Sequence, residues 1–260
     1  EAPPVAAEVT ALPPVEPPSA PTEFAAKVAN IVVQSGPAQG TPAEVYLRSR
    51  GITMPLPQSI RYREGAMRQY GALVGLATDD AGEVLAVQQV YLTSSGEKAP
   101  VHPAKRTNKA VEGWAERSAV RLPGRAPIIL CEGIETALSL AQATGQETWA
   151  CLGISNMAKA PLAEGAEVTV ARDGDIPGSP ADGQMERTLA TLKGRGFIAL
   201  LASPPEEQDF NDVLRNQGEE ALRMAIAEAA LPDAFGKTGP KEVYIGSDVE
   251  LAQRVREDLT

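Results

Sequence analysis

Three short apolar runs in this chain each end on acids, and that repetition constrains the fold more than anything else in the sequence. Pro127-Ile128-Ile129-Leu130-Cys131 leads into Glu132-Gly133-Ile134-Glu135-Thr136. Val168-Thr169-Val170-Ala171 leads into Arg172-Asp173-Gly174-Asp175, and Phe197-Ile198-Ala199-Leu200-Leu201 precedes a Ser-Pro-Pro turn and Asp209-Phe210-Asn211-Asp212. Each run has the length and the Ile/Val/Leu content of a strand buried on both faces. Between them the spacing predicts helices. Ile134, Ala137, Leu138 and Ala141 recur on one helical face before Gly145, and Met185, Leu189 and Leu192 do so before Gly194 and Gly196. Strand alternating with helix implies a parallel sheet with right-handed crossovers, whose strand ends open on one ligand-binding edge.

Glu132, Asp173, Asp175 and Asp209 each follow a strand in this reading, so folding should gather them at that edge. Carboxylates crowded together repel unless cations lie between them, and oxygen donors suit Mg²⁺ or Mn²⁺. The pattern therefore predicts a metal site. Asp173 and Asp175 flank a glycine, which lets both reach one cation while the backbone turns. Glu135 falls in the first turn of the following helix, where the helix dipole favours an acid whatever its role. Asp212 reads either as a further ligand or as a helix cap.

Glu-Gly after the first strand, Leu152-Gly153 after the next, Asp-Gly-Asp, and a trailing Asp-Phe-Asn-Asp together resemble a Toprim domain, over roughly residues 126 to 230. The wording Glu132-Gly133-Ile134-Glu135-Thr136-Ala137-Leu138 is most similar to Toprim primases of phages, plasmids and other mobile elements. Upstream, Leu47-Arg48-Ser49-Arg50-Gly51-Ile52 resembles the opening of bacterial-type primase catalytic cores. The resemblance implies an α/β Toprim fold, Rossmann-like with a mainly parallel sheet and flanking helices, preceded by a small mixed α+β subdomain. It implies a DNA primase core that makes short RNA primers on single-stranded DNA from nucleoside triphosphates. In that role Glu132, Asp173 and Asp175 are catalytic, and the same three with Asp209 hold the metal. Asn211 stands where cellular primases commonly carry a second aspartate. A Toprim nuclease and a non-catalytic nucleic-acid-binding module are the alternatives. A topoisomerase is disfavoured because Asp-x-Asp-Arg-Glu-Gly-Glu is missing.

A net charge of −10 argues against coating of duplex DNA through overall positive charge. One stretch runs the other way: Lys98, Lys105, Arg106, Lys109, Arg117 and Arg121 precede the first acidic strand. These residues, with Lys159, are the candidate nucleotide- or template-phosphate contacts. Trp114 within the stretch reads as packing rather than base stacking. Cys131, Cys151 and His102 cannot complete a four-ligand zinc site, and both cysteines read as buried thiols. No Gly-x-x-x-x-Gly-Lys-Ser/Thr loop exists, so the chain is not itself a helicase.

The expected organisation is a Pro/Ala-rich linker over 1–22, the basic α+β subdomain over 23–125, Toprim over 126–231, and a linker with a helix over 232–260. Thr41-Pro42-Ala43-Glu44 reads as a helix start, and residues 71 to 92 as an antiparallel hairpin. The ends suggest excision from a longer polypeptide. Glu242-Val243-Tyr244-Ile245-Gly246-Ser247-Asp248 resembles the lead-in to a helicase domain, which implies a fused or associated replicative helicase as partner. No membrane span or signal peptide is read, and the expected location is cytoplasmic.

Overall fold

A computed structural model describes residues 22–176, 178–205 and 208–229. The expected linker over 1–22, apart from Thr22, which caps the first helix, and the expected helix and helicase lead-in over 232–260 lie outside the described residues.

The first half builds an antiparallel sheet. Its strands are β1 (Ser35–Pro37), β2 (Ile60–Met67), β3 (Tyr70–Thr78), β4 (Val84–Leu92) and β5 (Lys105–Lys109), in that spatial order. The hairpin expected over residues 71 to 92 is β3–β4. Asp79 makes its turn, accepting from the backbone N–H of Ala81 at 3.0 Å and of Glu83 at 2.9 Å. Helix α1 (Glu23–Val33) lays Val28 and Ile31 on one face of the sheet, against Ala72, Val74, Val87 and Tyr91. Helix α2 (Pro42–Ser49) lies against the other face, capped by Thr41 with Pro42 in its first turn as its sequence requires.

The second half is the strand–helix alternation. Strands β6 (Val120–Leu122), β7 (Arg125–Cys131), β8 (Gln146–Ala150), β9 (Glu167–Ala171) and β10 (Ile198–Ala202) lie in the order β10-β9-β7-β8-β6. All neighbours are parallel except the short edge strand β6. Helices α3 (Ile134–Thr144), α6 (Phe210–Gln217) and α7 (Glu219–Ala227) cover one face, and α4 (Ile154–Met157) and α5 (Pro180–Gly194) the other. This is the mixed α/β architecture that the alternation of apolar runs and helical patterns requires.

One apolar cluster spans both sheets, joining Leu73 and Val90 of the first to Ile129, Ile134, Leu138 and Phe210 of the second. A backbone bridge adds to it: the Thr78 N–H donates to the Ala119 carbonyl at 3.0 Å. Cys131 belongs to this cluster and Cys151 to the one on the opposite face, and both buried free thiols lie within reach of the Trp149 carbonyl, at 3.6 and 3.8 Å. No described helix is long and apolar enough to cross a membrane.

Candidate active site

Each acid sits where a strand of the second sheet ends. Glu132 follows β7, and its carbonyl accepts from the Leu152 N–H at 2.9 Å, which extends the pairing of β7 with β8 one step past the strands. Gly133 then starts α3. Asp173 follows β9 after Arg172. Gly174 at the centre of the loop has no room for a side chain: a Cβ there would lie 2.5 Å from the carbonyl oxygens of both Pro205 and Gln208. Its N–H donates to the Gln208 carbonyl at 2.7 Å, so the loop after β9 rests directly on the segment that carries Asp209.

The electrostatics show that the acids come together. Asp173 is pushed up to about 7 by burial first, then by the charges of Glu132, Asp209 and Asp175, with Lys105 opposing. Its Oδ1 is buried with no hydrogen-bond partner. The same convergence reaches Cys131, whose thiol is raised by burial and further by Cys151, Asp173 and Glu132. An orphaned carboxylate oxygen among three other acids, all oxygen donors, fits a hard divalent cation. Among the described residues no three His, Cys, Asp or Glu side chains are closed around one point. The donors are gathered, and the set fits in chemistry rather than as a finished cage.

Two members of the third cluster have work in the fold. Asp209 is the N-cap of α6: its Oδ1 accepts from the Asp212 N–H at 2.7 Å, and Asp212 closes a capping box. The helix cap is therefore Asp209 rather than Asp212, because the helix begins at Phe210. Asn211 is fully buried, and its Nδ2 donates to the Arg50 carbonyl at 2.8 Å and to Ser139 Oγ at 2.9 Å. It ties the end of α2 to α3, and its Oδ1 is buried with no hydrogen-bond partner. Glu135 is likewise engaged, accepting from the Tyr46 hydroxyl at 2.8 Å. That bond and burial raise the Tyr46 hydroxyl well above its ordinary range. Sequence reasoning missed this seam, although Tyr46 and Glu135 flank the two motifs it picked out.

The basic candidates separate by face. Directly opposed residues in an antiparallel pair share a face. Lys105 opposes Val90 and Lys109 opposes Ala86, so both lie on the face toward the shared core. Arg106 opposes Gln89 and lies on the α1 side. Lys105 is the one whose charge is felt at Asp173. Lys98 lies 6.0 Å from the centre of the Tyr46 ring, beside the Glu135 seam. Lys109 pairs with Glu112, Arg117 with Asp79 at 3.6 Å, and Lys159 with Glu116 at 3.7 Å. Arg121 pairs with Asp80 and stacks 4.3 Å from the centre of the Trp149 ring. Arg117 and Arg121 thus clamp the β3–β4 turn to the second sheet. Trp114 packs against the core, as its sequence context suggests.

Residues 127–220 match the family described as the Toprim domain, and residues 22–118 match a domain of unknown function, DUF7146. The chain thus carries a Toprim domain. Its fold is that of bacterial primase catalytic cores. It is similar to the DnaG primase catalytic domain bound to single-stranded DNA, at 14% identity over 80% of each chain with a TM-score of 0.54. It is also similar to the RNA polymerase domain of Mycobacterium tuberculosis primase DnaG, at 14% identity over 89% of this chain and 85% of that one, TM-score 0.50. The Aquifex aeolicus primase, comprising zinc-binding and RNA polymerase domains, gives 15% identity and a TM-score of 0.51 over 80% of this chain. Only 61% of that longer protein is spanned.

Proposed function

We propose that this chain is a primase-type nucleotidyltransferase core that joins ribonucleotides on a single-stranded DNA template. One observation carries the reading: Asp173, with a buried and unpartnered oxygen, is raised by burial and then by the charges of Glu132, Asp209 and Asp175. Four carboxylates kept in mutual repulsion are costly unless a cation is to be received there. Asp173, Asp175 and Asp209 are the proposed ligands of Mg²⁺ or Mn²⁺, with Glu132 either completing the set or accepting the proton of the attacking hydroxyl. Bound there, the metal would supply charge neutralisation for the attacking hydroxyl and the leaving pyrophosphate. Asp209 can both cap and coordinate, because a carboxylate has a second oxygen.

Lys105 is the proposed phosphate contact nearest the acids. Lys98 and Lys109 extend the same role, and Arg106, Arg117, Arg121 and Lys159 contribute through the wider field. Surface ion pairs such as Lys109–Glu112 stabilise little, so phosphate can replace the acid partner. The template strand, the nucleoside triphosphates and a replicative helicase are the proposed partners, and the mobile-element likeness belongs to the same proposal.

The test is radiolabelled ribonucleotide incorporation on defined single strands with Mg²⁺ or Mn²⁺, comparing wild type with Glu132→Gln. Primer synthesis that the substitution abolishes supports the reading. Loss of template instead of its copying would make the protein a Toprim nuclease. Template binding indifferent to both metal and Glu132 would make it a binding module.

A further inference from the structure

Arg172 stands directly before Asp173 at the end of β9, and Asp182 lies in the first turn of α5. Their side chains pair at 3.0 Å, and only 17% and 10% of their surfaces are exposed. Each partner also grips the backbone of the acidic loop. Arg172 Nε donates to the Asp173 carbonyl at 3.3 Å, and Asp182 Oδ2 accepts from the Gly178 N–H at 2.7 Å. The Arg172 N–H itself donates to the Ala202 carbonyl at 3.1 Å, so the arginine is anchored to the neighbouring strand β10. Ser179 Oγ accepts from the Asp182 N–H at 3.2 Å, which fixes the start of α5.

The acidic loop is therefore held at Asp173 and again at Gly178 by one buried ion pair. The cation whose charge opposes the carboxylates at Asp173 is Lys105. A buried ion pair gains little stability over well-packed apolar side chains, so its use here is better explained by the geometry it imposes. We propose that Arg172 and Asp182 are positioning residues, which set Asp173 and Asp175 at the spacing a divalent cation requires. This rests on the metal-dependent reading above.

Groups that orient metal ligands typically change metal affinity about 10- to 100-fold when removed. The test is Mn²⁺ titration followed by electron paramagnetic resonance, which reads binding without activity, alongside thermal unfolding. The variant is Arg172→Met with Asp182→Leu, which replaces the pair by apolar side chains of similar size and removes both grips on the loop. The expected result is a melting temperature close to wild type and a Mn²⁺ dissociation constant raised about 10- to 100-fold. Nucleotide incorporation at saturating Mn²⁺ should change far less than the midpoint. An unchanged Mn²⁺ midpoint overturns the proposal, with or without a lower melting temperature. If the double variant does not fold, Arg172→Lys takes its place, because it keeps the charge and loses the Nε donor. It should then raise the midpoint in the same direction, and an unchanged midpoint again overturns the assignment. Asp173→Asn in the same titration separates the two readings. Wild-type Mn²⁺ binding that survives this substitution sinks the metal-site reading itself, whereas binding abolished by it leaves the midpoint of the double variant to decide the positioning role alone.

Discussion

The two sheets share one apolar cluster and carry opposite arrangements of charge. The second sheet contributes acids that are half-buried and close together, and burial with the charges of the other three raises Asp173. The first contributes Lys105, Arg106 and Lys109 along an exposed edge strand, Lys109 already paired with Glu112. Unlike charges would have neutralised each other had the fold interleaved them. On the proposed function, one wall would receive cations and the other phosphate, and a nucleotide with its metal would bring both.

The largest effect should come from the acidic wall. Glu132→Gln is expected to reduce nucleotide incorporation by on the order of 10²- to 10⁴-fold, as loss of a general base or a metal ligand does. Asp173→Asn should do at least as much harm to incorporation while stabilising the metal-free protein. The sign follows from its carboxyl, which is raised from 3.8 to about 7 on folding. Below the lower value the group costs nothing; as pH rises toward 7 the unfolded chain releases the proton first, and stability falls. The penalty above pH 7 is at most about 4 kcal/mol, and less where water reaches the group. Chemical denaturation of metal-free protein across this pH range should show a slope that Asp173→Asn flattens. A variant less stable than wild type at pH 8 would break the contrast between the walls.

Next in size is the seam between the α2 segment and α3. Asn211→Ala removes two hydrogen bonds and should cost about 1–3 kcal/mol by urea denaturation, since it strands the Arg50 carbonyl and takes the donor from Ser139 Oγ. Tyr46→Phe should cost about 1 kcal/mol and leave the Mn²⁺ midpoint in place. A shifted midpoint would make Glu135 a ligand. The smallest effect belongs to the basic wall. Lys105→Ala should weaken binding of single-stranded DNA and lower the slope of log affinity against log salt by about 1, and Arg106→Ala should do less because it faces α1. Equal effects from the two substitutions would remove the distinction between the faces.

Much of the acidic wall could be read from residues alone. A strand ending on Glu-Gly or Asp-Gly-Asp tells where its acid must lie once the sheet is parallel, because all such ends share an edge. The basic wall could not be read so far. Lys105 and Arg106 are adjacent in sequence, and pleating sends them to opposite faces, which only the register against Val90 and Gln89 decides. The seam was illegible for a different reason: Tyr46 and Glu135 are 89 positions apart, and nothing local announces their bond. Asn211 stands where the resemblance places a second aspartate, which makes it read as a weaker, neutral ligand. The first turn of α6 carries it inward, so that the amide becomes a strut.

The glycine between the two aspartates has a consequence for how the molecule matures. With no side chain it lets the backbone settle onto the carbonyls of Pro205 and Gln208, so the first pair of acids has no floor until the chain has run on through β10. A nascent polypeptide stopped before residue 205 would hold Glu132, Asp173 and Asp175 but could not yet set them in register. Competence for metal should arrive abruptly, at the chain length that delivers the last of the four acids.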